Sequence, residues 1–160
     1  MTATMSAHPP HLAAAEPDSA AAPLWRRLAA LGYDLMPLLA LWMLTAGLVL
    51  LAFHGEVDVA HQPPLYHYSL QAALLGVTAA YFVVSWTRGG QTIGMRAWRI
   101  RLAAADGRSP SLRQALLRFA VALPSTALLG TGFLWSLFDR ERRAWHDIAA
   151  GTRLLRQPRR

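Results

Sequence analysis

The stretch LMPLLALWMLTAGLVLLAF, residues 35–53, is nineteen residues long and carries no charge. Two more stretches share its character. SLQAALLGVTAAYFVVSWT, residues 69–87, is bounded by Arg88; FAVALPSTALLGTGFLWSL, residues 119–137, lies between Arg118 and the Phe138-Asp139 step. As helices rising ~1.5 Å per residue, each is about 28 Å long, close to the ~30 Å hydrocarbon core of a bilayer. Three such runs in a short chain predict an all-α membrane protein with three apolar helical segments. Trp42, Trp86, Trp135, Tyr66, Tyr68 and Tyr81 lie in or beside them, those near the ends suiting an interfacial belt and the others packing between helices.

Composition agrees. The chain has 160 residues, about one domain's worth, and is 54% hydrophobic and 16% charged with a mean hydropathy of +0.23. That is too apolar for an ordinary soluble domain or a disordered chain. The net charge is +7 and the isoelectric point about 11.2. Because the apolar residues collect in long runs, the anionic partner expected is the phospholipid headgroups of a lipid bilayer rather than nucleic acid. Cysteine is absent, which removes disulfides and thiolate metal sites. All sixteen basic residues are arginine, a fact that genome composition bias explains without function.

Arginine placement sets an expected orientation. Arg26 and Arg27 precede the first run; residues 54–68 hold no arginine; Arg88, Arg96, Arg99, Arg101, Arg108, Arg113 and Arg118 follow the second. The positive-inside rule places the N-terminus and the second loop in the cytoplasm, hence a multi-pass protein of the cell inner membrane. The third run conflicts with the rule if it crosses, because seven arginines follow it. Pro124 and Gly130-Thr131-Gly132 offer places to bend, so the segment is either a straight span or a re-entrant one that returns the tail to the cytoplasm, and the bent form is favoured. Residues 1–23, rich in Ala and Pro and without a secretory pattern, are expected to be a disordered cytoplasmic tail, 24–156 the membrane domain, and 157–160 a basic tail.

The loops promise a small cytoplasmic cap containing short strands. Trp98, Ile100 and Leu102 alternate with Arg99 and Arg101 as in a strand, and Asp106-Gly107 marks a turn. Ser111 and Gln114 have capping-box spacing at the head of a helix that leads into the third run. Asp139 to Ala150 reads as helix with Gly151 as its C-terminal cap, and Thr152 to Arg156 as a second short strand.

Asp34 stands one residue before the uncharged run. A carboxylate there needs a partner, water or a proton, at ~2.5–3.5 kcal/mol if it sat at a helix centre. Arg27 lies seven residues earlier, ~10.5 Å of rise, too far for a pair within one helix. Arg96, Arg113, Arg118 and His146, from other segments, are the expected partners of Asp34, with Asp147 or a lipid phosphate serving Arg27.

Three stretches together resemble the RDD family of small bacterial membrane proteins: RLAALGYD at 27–34, GGQTIGMR at 89–96 and WHDIAAGT at 145–152. The resemblance runs from about Arg26 to Leu155. It implies that Arg27, Asp34 and Asp147 are the arginine and two aspartates for which the family is named, and it carries the suggestion of a transport role. Gly32-Tyr33, where the family more often has aliphatic residues, and Pro37 depart from the pattern.

Other constellations carry less. Gly89 to Gly94 lacks the Gly-Lys-Ser/Thr ending of a phosphate loop and reads as a tight turn, with Arg96, Arg99 and Arg101 against lipid headgroups. His54, His61 and His67 with Glu56 and Asp58 match no tight chelating motif, so neither a metal nor another cofactor is expected. His146 and Asp147 are adjacent and point apart on a helix, a structural clasp rather than an acid–base pair, and no nucleophile accompanies them, so an enzyme is not expected. Two functions remain. One is a transporter or ion-coupled permease subunit acting through Asp34, which in a chain this small requires a homo-oligomer or a membrane protein partner. The other is a non-catalytic membrane scaffold or assembly factor whose Arg27, Asp34, Asp147 and His146 form a structural polar cluster.

Overall fold

The computed structural model describes residues 21–53, 64–128 and 130–157. Two long helices dominate it, α1 (Leu24–Ala52) and α2 (Pro64–Gly89). At ~1.5 Å per residue they are about 44 and 39 Å long, enough to cross a bilayer with turns to spare. Their best windows have mean hydropathies of 2.2 and 1.4. Most of their large apolar side chains face outward, Met36, Met43 and Leu51 being more than 70% exposed, which is stable only against lipid. The two helices pack antiparallel. Phe53 meets Tyr66 edge-on at 5.3 Å at the far end, and the Trp42 indole donates to the Thr78 hydroxyl at 2.8 Å midway.

At the other end the chain builds a cap. After α2 come α3 (Ile93–Ala97) and strand β1 (Ile100–Ala104), then α4 (Leu112–Ala127). Ser111 and Gln114 close the expected capping box on α4. Beyond α4 the chain bends by 107° into α5 (Thr131–Leu134) and a 3-10 turn over Trp135–Leu137. Gly130 takes φ 74 at the bend, a left-handed conformation that costs glycine little. Helix α6 (Trp145–Ala149) and strand β2 (Thr152–Arg156) complete the fold, and β2 pairs antiparallel with β1 from Ile100↔Arg156 to Ala104↔Thr152. This pairing decides the path of the third apolar segment. Since β1 precedes it and β2 follows it in one ladder, the segment enters and leaves by the same end of the molecule. The core lies where cap and spans meet, around Ala30, Trp86, Ile100, Leu102, Ala115 and Leu154.

At the sheet edge Ala21 bridges Leu155, the fully buried Ala22 donates to the Leu154 carbonyl, and the Gln157 N–H bonds to the Arg99 carbonyl at 2.9 Å. Two expectations are corrected. The strand begins at Ile100, not Trp98, because Trp98 caps α3 and Arg99 takes a left-handed φ of 52 that reverses the chain. Residues 139–144 are not helical: the Asp139 carboxylate turns back onto the Arg143 N–H, and Arg142 takes φ 53.

Candidate functional site

Asp147, the third residue of α6, is completely buried, and its carboxylate satisfies the N–H of Ala144 at 3.0 Å, half of a capping box. Two guanidinia converge on it. Arg27 from the first turn of α1 donates at 2.7 Å, and Arg118 from the middle of α4 pairs with the other oxygen. Each guanidinium is tied further. Arg27 bonds to the Ala22 and Arg142 carbonyls at 3.0 and 2.6 Å; Arg118 bonds to the Thr152 hydroxyl at 3.1 Å and lies 5.1 Å from the Trp86 ring. One carboxylate therefore ties α1, α4, α6 and the start of β2 together. Burial alone would raise the Asp147 pKa, but the positive charges of Arg118 and Arg27 and the Ala144 N–H overcome it and hold it at about 2. His146 lies beside the cluster against Phe133, ring centroids 4.7 Å apart, with Nε2 3.8 Å from Asp147 and outside hydrogen-bond reach. Burial first, and then the Arg118 charge, lower its pKa to about 3, so the imidazole is neutral.

Asp34 belongs to a separate network. Its 1%-exposed carboxylate accepts from the Tyr81 hydroxyl (2.7 Å), the Thr92 hydroxyl (2.5 Å) and the Gly94 N–H (2.7 Å). Thr92 is also the N-cap of α3, accepting from the Met95 N–H at 3.1 Å. The GGQTIGMR stretch thus has a physical reading. The threonine hydroxyl donates a hydrogen bond to Asp34 while accepting one from the start of α3, and residue 94 must be glycine because a Cβ there would overlap the Ala30 carbonyl oxygen and come within 3.0 Å of the Asp34 Cγ. This corrects the expectation of a cationic partner: Arg96, Arg113, Arg118 and His146 make no hydrogen bond to Asp34 among the described residues. The short side chain faces α2 and the start of α3, which bring the Tyr81 and Thr92 hydroxyls and the Gly94 N–H in place of a charge.

The structure therefore brings together Arg27, Asp147 and His146, adds Arg118, and sets Asp34 apart from them. Arg27, Asp34, Arg118 and His146 nevertheless line one cavity of about 430 Å³, the space left between α1 and α4 where both pack on α2. The rest of its wall is largely apolar, including Leu31, Phe82, Phe119 and Leu123. Arg96 and Arg99 are exposed, and Arg101 is half-buried with its guanidinium 3.3 Å from the Ser109 hydroxyl. His54, His61, Glu56 and Asp58 lie outside the described residues, while His67 is exposed on α2 and bonds to Gln71 at 2.9 Å. No three His, Asp or Glu side chains converge as a metal site among the described residues. Sequence reasoning missed Tyr81, Thr92 and Thr152 as members of the networks. Two of them stand inside the quoted stretches, Thr92 in GGQTIGMR and Thr152 in WHDIAAGT, and that is the signal that could have found them.

Two apolar spans, a third segment folded back on itself and a cap locked by buried ion pairs define a multi-pass α-helical membrane protein in contact with the lipid bilayer. The chain belongs to the RDD family, whose pattern matches residues 21–151 and so takes in both networks apart from Thr152. No curated protein and no solved structure matches it.

Proposed function

We propose that this protein is a non-catalytic membrane scaffold or assembly factor whose Arg27, Asp34 and Asp147 are structural, and that its cap faces the cytoplasm from the inner membrane. The observation that carries the first part is saturation. Arg27 has three acceptors, Asp34 three donors, and Asp147 two guanidinia and an N–H, with none of the three side chains more than 4% exposed. Buried charged groups whose hydrogen-bonding capacity is taken up in this way fix the relative positions of helices, which supports a structural role over the binding of a cargo ion. The cytoplasmic assignment follows from arginine placement, since β1–β2 pairing puts the arginines of both the second loop and the C-terminal region at the cap end, opposite the arginine-free loop.

Ion-coupled transport is the second reading. What favours it is that Asp34 and three other ionisable side chains line one cavity; the apolar character of the remaining wall weighs against passage of a hydrated ion. Liposomes containing the purified protein, assayed for proton, sodium and solute flux beside an Asp34→Asn variant, separate the two. The scaffold reading expects no flux above protein-free liposomes and a lower melting temperature for the variant. A flux that the variant abolishes while remaining as stable as the parent establishes transport instead.

A further inference from the structure

Beside the first turn of α1, on the surface of the cap, lies a pocket of about 500 Å³ lined by Arg26, Ala97, Trp98, Arg99, Arg156 and Gln157. Three of its six lining residues are arginine and none is acidic. Among the described residues, none of these three guanidinia is paired with a carboxylate, although Arg27, Arg118, Arg143 and Arg153 all are. The fold gathers them from three places. Arg26 comes from α1 and is held by a 3.3 Å bond to the Trp98 carbonyl and by the Trp25 ring 5.0 Å away. Arg99 and Arg156 are exposed at one end of the β1–β2 ladder. Arg99 also takes a left-handed φ of 52, a conformation in which glycine would be cheaper, and it puts a cation there.

The position matches a membrane surface. Trp98 meets Trp25 and Tyr33 edge-on at 5.5 and 5.8 Å, and those two rings are 55% and 56% exposed on the first turns of a membrane span, as interfacial aromatics are. A pocket with three guanidinia that no carboxylate among the described residues pairs, at headgroup level, complements phosphate, which arginine binds through parallel N–H donors. A single phosphate charge would leave two of the three cations unneutralised, and two phosphate charges would leave one.

We propose that this pocket is a binding site for a phospholipid whose headgroup carries two phosphate charges. It does not depend on whether the protein is a scaffold or a transporter. The full chain is placed in phosphatidylcholine nanodiscs doped with cardiolipin, which has two phosphates, or with phosphatidylglycerol, which has one, and retained lipid is counted by native mass spectrometry. Cardiolipin is retained in preference to phosphatidylglycerol. R99Q/R156Q, which alters two exposed side chains, weakens that retention by roughly fivefold per arginine, thirtyfold for the pair. R88Q/R113Q, which removes the same charge elsewhere at the cap end, leaves it unchanged. If R99Q/R156Q does not fold, R156Q alone carries the test with about a fivefold loss. Equal retention of the two lipids, equal loss in the two double variants, or displacement of the lipid by an equal concentration of inorganic phosphate overturns the proposal.

Discussion

Asp147→Asn removes one charge and almost no volume. The Asn carbonyl oxygen can still accept from the Ala144 N–H, so the start of α6 keeps its cap. What is lost is the only anion paired with Arg27 and Arg118 among the described residues, where they lie 4% and 3% exposed. Removing one member of a buried ion pair costs ~3–5 kcal/mol because the remaining charge is stranded, and here two charges of like sign are stranded together. A protein of this size has a total stability of about 5–15 kcal/mol, so the substitution consumes a large part of it. At roughly 2–4 °C per kcal/mol for a chain of this length, the melting temperature in detergent falls by about 6–20 °C. The assay is thermal loss of monodispersity on size exclusion, followed for the parent, Asp147→Asn, Arg118→Gln and the double variant. Because the two residues touch, the double variant costs ~0.5–3 kcal/mol less than the sum of the singles. An Asp147→Asn protein melting within about 2 °C of the parent, where the cited cost of a stranded charge predicts far more, would refute the claim that this cluster holds the cap to the spans.

Gly94→Ala forces α3 away from the Ala30 carbonyl and breaks the N–H bond to Asp34, so we expect at least ~1–3 kcal/mol of destabilisation, read as a lower melting temperature, while Gly76→Ala on α2, where an added Cβ meets open space, costs far less. Asp34→Asn turns an amide N–H₂ toward groups that are themselves donors and costs ~1–3 kcal/mol; Tyr81→Phe, removing one of three donors, costs less, and the reverse order in melting temperature would contradict the assigned network. His146, neutral in the fold with a pKa of about 3, takes up a proton near 6.5 once unfolded, so stability falls as pH drops from about 6.5 toward 3, by up to ~1.4 kcal/mol per unit. Asp147, at about 2 in the fold against 3.8 unfolded, contributes stability that is present above pH 3.8 and lost as pH falls toward 2. His146→Gln should therefore flatten the melting-temperature profile between pH 4 and 6.5 while leaving the steeper acid loss, and an unchanged profile would show that His146 is not the group responsible.

Much of this architecture is written locally. Two of the three uncharged runs of nineteen residues form bilayer-length helices, because apolar surface of that length is stable against lipid. Ser111 with Gln114 fixes the start of α4, and the alternation at Ile100 and Leu102 fixes a strand, since caps and pleats depend on residues a few positions apart. Asp34 could be recognised as a residue needing a partner from its own surroundings. Which partner it has could not be read there: Tyr81 is 47 residues away and Thr92 is 58, and a hydroxyl satisfies a carboxylate as an arginine does, so residue type does not choose between them. The path of the third segment was undecided for the same reason. Pro124 and Gly130 permit a bend, but the pairing of Ala104 with Thr152, across that whole segment, is what brings the chain back. Where the chain enters lipid and where charge is costly follow from neighbours along the chain and are legible in it. Which charges meet is a property of the folded molecule, because a buried contact depends on the packing of every element between its two ends.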